Sequence, residues 1–243
     1  SPMSERWGGW YVTGTDGGQE HLGNGVVRDR AHPDRLDNAE GADLLDLKAK
    51  ITTRPYLTPY SDIVALMVLE HQTQAHNRIT AANYHSRLAG HYDAGVNKAL
   101  GRPEGHVSET SMRRIQRAAD DLADYLLFAD EPALTAPITG TSGFVDHFSS
   151  QGRRDDQGRS LRDFDLKVRL FKYPCSYLIE SEAFGALPDV VKRRVYERVT
   201  DVLTGKVEDP KFAHLTAATR QDSMTEPTIA RRWRRNLRQA ICH

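Results

Sequence analysis

Residues 62–89, DIVALMVLEHQTQAHNRITAANYHSRLA, contain neither proline nor glycine. A run of that length predicts one long helix, N-capped by Ser61 or Asp62 and stopped at Gly90. Its first two turns are apolar nearly all round, so that half must be buried. Leu66, Glu70, Thr73, Asn77 and Tyr84 then fall along one stripe at about 100° per residue. A polar row that continues an apolar one predicts buried polar groups in need of partners, such as Glu70 bonded to an arginine, or the wall of a cofactor or metal site.

Two further helices are legible. SETSMRRIQRAADDLADYLLFAD takes Ser108 or Thr110 as its cap, carries Ile115, Ala118/Ala119, Leu122 and Leu126 as an apolar stripe, and ends at Pro132 and Pro137. LPDVVKRRVYERVTDVLTG opens at Pro188, lines one face with Val191, Val195, Val199 and Val202, and closes at Gly205. YPCSYLIESEAF reads as a short helix with Pro174 in its first turn, and SLRD (Ser160 to Asp163) resembles a capping box. Residues 132–160 otherwise form a loop long enough to be functional or to wrap around something. Residues 1–60 are rich in loops, with a possible short strand at Tyr11-Val12-Thr13 and a turn at DGG (Asp16 to Gly18). The expected fold is mainly α: a helical domain with long ordered loops and little or no sheet. The expected divisions are a glycine- and aromatic-rich segment at 1–60, a helical domain at 61–226, and a basic tail at 227–243, disordered or out of frame.

Thirty-three basic and thirty-three acidic residues cancel, so no net field recruits nucleic acid or a membrane surface. The longest apolar run, IVALMVL, falls far short of the roughly 20 residues that cross a bilayer. Ser1 in place of an initiator methionine, with no leader segment before the aromatic loop, makes the chain read as a processed product or a piece of something longer. Cys175 and Cys242 have no metal-ligand spacing, and Cys175 in its apolar setting is expected to be a buried thiol.

RWGGWYVTGTDGGQEHLGN, Arg6 to Asn24, holds Trp7, Trp10, Tyr11, six glycines and His21. Glycines around His21 allow its backbone close to a flat object, although a turn histidine bonded to backbone fits equally. On the long helix, His71 and His76 are five apart, about 140° around the axis, so EHQTQAH is no HExxH zinc motif. Met67 and His71 are four apart and share a face, and either residue type can be an axial ligand of haem iron. GTSGF is not a nucleophile elbow, GTDGG is not a dinucleotide fingerprint, and AICH has Gln239 where a haem-attachment motif needs its first cysteine. An alternative set, Glu70, His76 and His21 with further carboxylates, describes a non-haem metalloenzyme. A helical binding or structural module without cofactor is the remaining class.

Three blocks in order, SERWGGWYVTGTDGGQEHLGN, DIVALMVLEHQTQAHNRITAANY and GTSGFVDHF…GRSLRDFDLKVRLFKYPCSYLIESEAFGALP, resemble the C-terminal region of large secreted bacterial proteins classed with c-type cytochromes. The resemblance covers roughly residues 1–222. It implies a periplasmic or exported electron-transfer or redox protein. Haem c would be attached at a CxxCH outside this chain, on an upstream haem-bearing domain of the same polypeptide. Trp7, Trp10, Tyr11, Met67, His21 and His71 would then lie at the cofactor, with His71, His21, His76 and Glu70 as the metal-side residues. The resemblance leaves the redox partner open; the expectation of no nucleic-acid partner and no membrane span rests on the balanced charge and the short apolar runs.

Overall fold

A computed structural model describes residues 1–38, 41–217 and 219–220. The basic tail at 227–243, Cys242 included, lies outside the described residues. The fold is mainly helical, as expected: α1 (Ile63–Leu100), α2 (Glu109–Leu126), α3 (Phe144–Ser150), α4 (Glu182–Gly185) and α5 (Asp189–Leu203). One short antiparallel pair accompanies them, β1 (Val26–Val27) with β2 (Leu36–Asp37), in which Val26 faces Asp37 and Val27 faces Leu36.

Helix α1 starts where the sequence places it. Asp62 Oδ1 accepts from the backbone N–H of Val64 (2.9 Å) and Ala65 (3.2 Å), satisfying two donors of the first turn. The expected stop at Gly90 is not used. Ala75, Ile79, Ala82, Ser86, Ala89, Asp93 and Asn97 recur at three- and four-residue spacing and are all buried. That face continues past Gly90, and its packing outweighs the helix penalty of about 1 kcal/mol that a glycine carries. Gly101, at φ 63°, supplies the real stop, with the Arg102 N–H donating to the Asn97 carbonyl at 2.9 Å. This is a Schellman ending. The polar stripe predicted along α1 is not buried: Leu66 is, but Thr73, Asn77 and Tyr84 are exposed.

The chain divides into two compact units. The first comprises residues 1–71, 131–153 and 160–172. Val12, Ile63, Val64, Met67, Ile138 and Phe171 are among its buried side chains. Within the 132–160 stretch expected to be loop lies α3, launched by Gly143 in the left-handed conformation (φ 72°). It puts Phe144 and Phe148 one turn apart, ring centroids 5.4 Å from each other. Phe164 and Phe171 stack at 5.3 Å and extend the cluster. The capping-box pattern at SLRD forms in part: the Ser160 N–H donates to Asp163 Oδ2 (3.0 Å), while Ser160 Oγ accepts from the Arg162 N–H (3.2 Å), two residues on rather than three. No helix follows, because Phe164 pairs back on Phe171 instead.

The second unit comprises residues 72–130, 154–159 and those from Tyr173 onward. Here α2 packs on α5. Ser108 caps α2, its Oγ accepting from the Ser111 N–H, and Ile115, Ala119, Leu122 and Leu126 are buried. On α5, Val191, Val195, Val199 and Val202 are buried, and Gly205 at φ 76° ends the segment. Pro174 does not open a helix. A 3-10 turn at Tyr177–Glu180 is capped by Ser176, and α4 by Ser181. Serine hydroxyls start both pieces because each can accept from an N–H that proline alone leaves unpartnered. Cys175 is buried, as expected.

Charged pairs lace α2 to α5. Arg194 donates to both oxygens of Asp120 (2.7 and 2.8 Å), and Arg198 Nε to Asp124 Oδ1 (3.0 Å). Lys211 Nζ also reaches Asp124 Oδ2 at 2.8 Å. Asp124→Ala leaves two half-buried cations without their shared partner, and a loss of about 2 kcal/mol is expected in urea unfolding. Asp121→Ala, an exposed position on the same helix, serves as the control with a change near zero.

Candidate functional site

The aromatic and glycine-rich loop is the hub of the first unit. Trp7 itself has φ 63°, a conformation uncommon for a bulky side chain, and its carbonyl accepts from the Trp10 N–H (2.9 Å). That turn sends the three aromatic residues different ways: Trp7 is 7% exposed, Trp10 55% and Tyr11 47%. Asn24 latches the far end of the loop. Its Oδ1 accepts from the Val12 N–H (2.9 Å) and its Nδ2 donates to the carbonyls of Val12 (2.7 Å) and Gly41 (2.8 Å).

Thr13 and Gln19 stitch the loop to distant strands of chain. Thr13 N–H donates to the Ser61 carbonyl (2.7 Å), and the Thr13 carbonyl accepts from Ile63 (2.8 Å). Thr15 exchanges backbone bonds with Thr139. Gln19 donates to the carbonyls of Asp16 (2.9 Å) and Ala136 (2.8 Å) and accepts from the Thr135 N–H (2.7 Å). Gly14 is required where it stands. It adopts φ 142°, and a Cβ there would overlap Ile63 Cγ2 and lie 2.7 Å from the Thr139 carbonyl. Gly23 is equally confined, between Val12 and the His21 ring.

The other half of the first unit closes over Asp62. Its Oδ2 accepts from the N–H groups of Thr141 (2.8 Å) and Ser142 (2.9 Å) and from Ser142 Oγ (2.8 Å), while Oδ1 caps α1. GTSGF, which fits no catalytic template, is thus the segment that supplies donors to a buried carboxylate.

His21 is 4% exposed. Its Nδ1 accepts from the Gly23 N–H (3.0 Å), which puts the proton on Nε2, and Nε2 lies 3.7 Å from Asp16 Oδ2. The Trp7 ring meets it edge-on at 5.5 Å. Burial pushes the His21 pKa below its ordinary value, with Asp16 and Asp43 pulling the other way. His71 is 7% exposed, edge-on to Phe171 at 5.7 Å, and burial holds its pKa down to about 4. Met67 is buried on the same helix face. His76 is exposed and belongs to the second unit.

A cluster that the sequence only half discloses lies at Arg6. Its Nη1 donates to Glu70 Oε2 at 3.3 Å, the arginine partner expected for that glutamate. The buried indole N–H of Trp7 makes no hydrogen bond of standard geometry, yet it faces Glu70 closely enough to lower that carboxyl's pKa. Desolvation outweighs Arg6 and Trp7, and the Glu70 pKa is raised. Glu131 is pushed up to about 7 by burial, against the pull of Arg6. No pattern around Glu131-Pro132 points to it in the sequence, whereas the DGG turn does mark Asp16.

Haem iron takes a ring nitrogen or thioether that faces an open volume. His21 spends Nδ1 on its own loop and turns Nε2 to Asp16, while His71 and Met67 are interior. These three do not fit as ligands of an external haem. Trp10 and Tyr11 are exposed on a loop whose backbone is tied down by Asn24, Thr13 and Gln19. Among the described residues, no three His, Cys, Asp or Glu side chains converge to hold a metal ion. No helix among the described residues is long and apolar enough to cross a membrane. Compared with protein-family models, with curated proteins and with solved structures, the chain matches none.

Proposed function

We propose that this chain is the docking region of a c-type-cytochrome-like redox protein, in which haem c is carried by another segment of the same polypeptide. In this reading it contributes an apolar surface at Trp10 and Tyr11 and leaves iron ligation to the haem-bearing segment. The observation that carries it is the split within one loop: Trp7 and His21 are buried as ballast while the adjacent Trp10 and Tyr11 are exposed on a backbone fixed by Asn24, Thr13 and Gln19. An exposed aromatic pair on so tightly bonded a loop is preorganised for contact, since little ordering entropy remains to be lost on docking. The three-block resemblance supplies the class of partner, and with it the exported location.

Two measurements on the full-length haem-loaded protein test this. The emission of Trp10, isolated as the difference between wild type and Trp10→Phe, is expected to be strongly quenched by energy transfer to the haem. His71→Ala is expected to leave the Soret band unchanged, because His71 is interior to its own unit. Bright Trp10 emission removes the docking role; a Soret shift in His71→Ala makes His71 a ligand after all.

A second reading, a binding module without any cofactor, is favoured by the internal use of both His21 nitrogens. A full-length product that carries no haem, yet folds cooperatively, decides for it.

A further inference from the structure

The second unit carries a surface unrelated to the aromatic loop. Helix α1 buries Ala82, Ser86, Ala89 and Asp93 and turns Tyr84, Leu88 and Tyr92 to the opposite side. These three, spaced four apart, are 62%, 41% and 68% exposed. At 100° per residue they span about 80° of the helix circumference, a continuous apolar stripe.

The charge around that stripe has one sign. Arg87, His91 and Lys98 border it, all exposed, with Arg87 braced by its Nε bond to Asn83 Oδ1 (2.8 Å). Between Glu70 and Glu104 the only acid is Asp93. It is buried on the far face, its Oδ2 accepting from the Ser108 N–H at 2.8 Å. Past Glu70 the exposed side of α1 is therefore basic, in a chain whose total charge is zero.

We propose that this face docks an acidic, amphipathic helix of a partner protein, which sets apolar residues on Tyr84, Leu88 and Tyr92 and carboxylates against Arg87 and Lys98. Anchors at i, i+4 and i+8 suit one helix laid along another. Charge excludes two nearer occupants. A second copy presents the same cations, and residues 221–243 of this chain hold five arginines against two acids. Single-stranded nucleic acid also seeks cations and aromatic rings, but it stacks successive bases on neighbouring rings. The two tyrosines sit about 12 Å apart along the axis with Leu88, which has no ring, between them.

The test uses the full chain and three fluorescein-labelled probes: a helical peptide of leucines at three- and four-residue spacing with glutamates elsewhere, the same peptide with glutamine for glutamate, and an oligothymidylate of similar length. Fluorescence anisotropy is expected to show the glutamate peptide binding, about tenfold tighter than the glutamine peptide at low salt and weakening as salt rises. Tyr84→Ser/Leu88→Ser/Tyr92→Ser, and separately Arg87→Glu/Lys98→Glu, are each expected to weaken it at least about tenfold. All five side chains are exposed, and an unchanged helical circular dichroism spectrum verifies the fold of each variant. Failure of the glutamate peptide to bind, equal binding by the variants, equal binding of the glutamine peptide, or tighter binding of the oligothymidylate each overturns the proposal. Because the chain alone is used, without haem, the outcome is separate from that of the docking reading above.

Discussion

Asp62→Ala is expected to cost the first unit about 4 kcal/mol, the largest effect of any single change considered for it. The carboxylate is 5% exposed and accepts from Val64, Ala65, Thr141 and Ser142 backbone N–H groups and from the Ser142 hydroxyl. Removing it strands five donors, two at the start of α1 and three in the GTSGF segment. Asp62→Asn is expected to be nearly as harmful. An amide keeps one accepting oxygen and aims an NH2 group at donors on the other side. Urea unfolding of both variants measures this, and a loss below about 1 kcal/mol in Asp62→Ala contradicts it. Ser142→Ala removes only the hydroxyl donor and should cost about 1 kcal/mol, a useful internal scale.

The second large effect is in pH dependence, where two groups act with opposite sign. His71 has a folded pKa of about 4 against an ordinary 6.5. Its contribution is complete above 6.5 and is lost as pH falls toward 4, because the unfolded chain takes up a proton that the fold refuses. Glu131 has a folded pKa of about 7 against an ordinary 4.5. Its contribution is complete below 4.5 and is lost as pH rises through 7. Each window is worth about 3 kcal/mol in total. Between 4.5 and 6.5 the two slopes oppose, so the wild type is expected to show a shallow profile there. His71→Gln unmasks Glu131, and stability then falls as pH rises from 4.5 to 7. Glu131→Gln unmasks His71, and stability then rises from pH 4 to 6.5. Chemical denaturation in half-unit pH steps reads both, and a flat profile in either variant counts against the group it retains.

Helices α2 and α5 were legible because their apolar residues, caps and stops all lie within the segment itself. Ile115 to Leu126 and Val191 to Val202 repeat at helical spacing, and Ser108, Pro188 and Gly205 mark the ends. The end of α1 was not, because its buried face past Gly90 is held by Asp93 and Asn97. Those polar residues become interior through bonds across the following turn, the Ser108 N–H donating to Asp93 and the His106 carbonyl accepting from Asn97. Seven residues give α3 too little length for a period to emerge, although Phe144 and Phe148 one turn apart are a trace of it. At the site, the Arg6–Glu70 pair follows from the need of a helix carboxylate for a partner. The opposite fates of Trp7 and Trp10 do not, since they depend on the handedness of a single backbone turn. The raised pKa of Glu131 likewise arises from burial in the folded chain, against the opposing pull of Arg6, 125 positions earlier in the sequence.

The loop that carries Trp7 and Trp10 has consequences for biosynthesis. Gln19 takes its backbone partner at Thr135, 116 residues later. At translation speeds of about 5–20 residues per second, roughly 6–23 s separate the two on a ribosome. Over that interval Trp7, interior in the finished fold, lacks part of its native surroundings, so closure of this unit waits on chain made more than a hundred residues later.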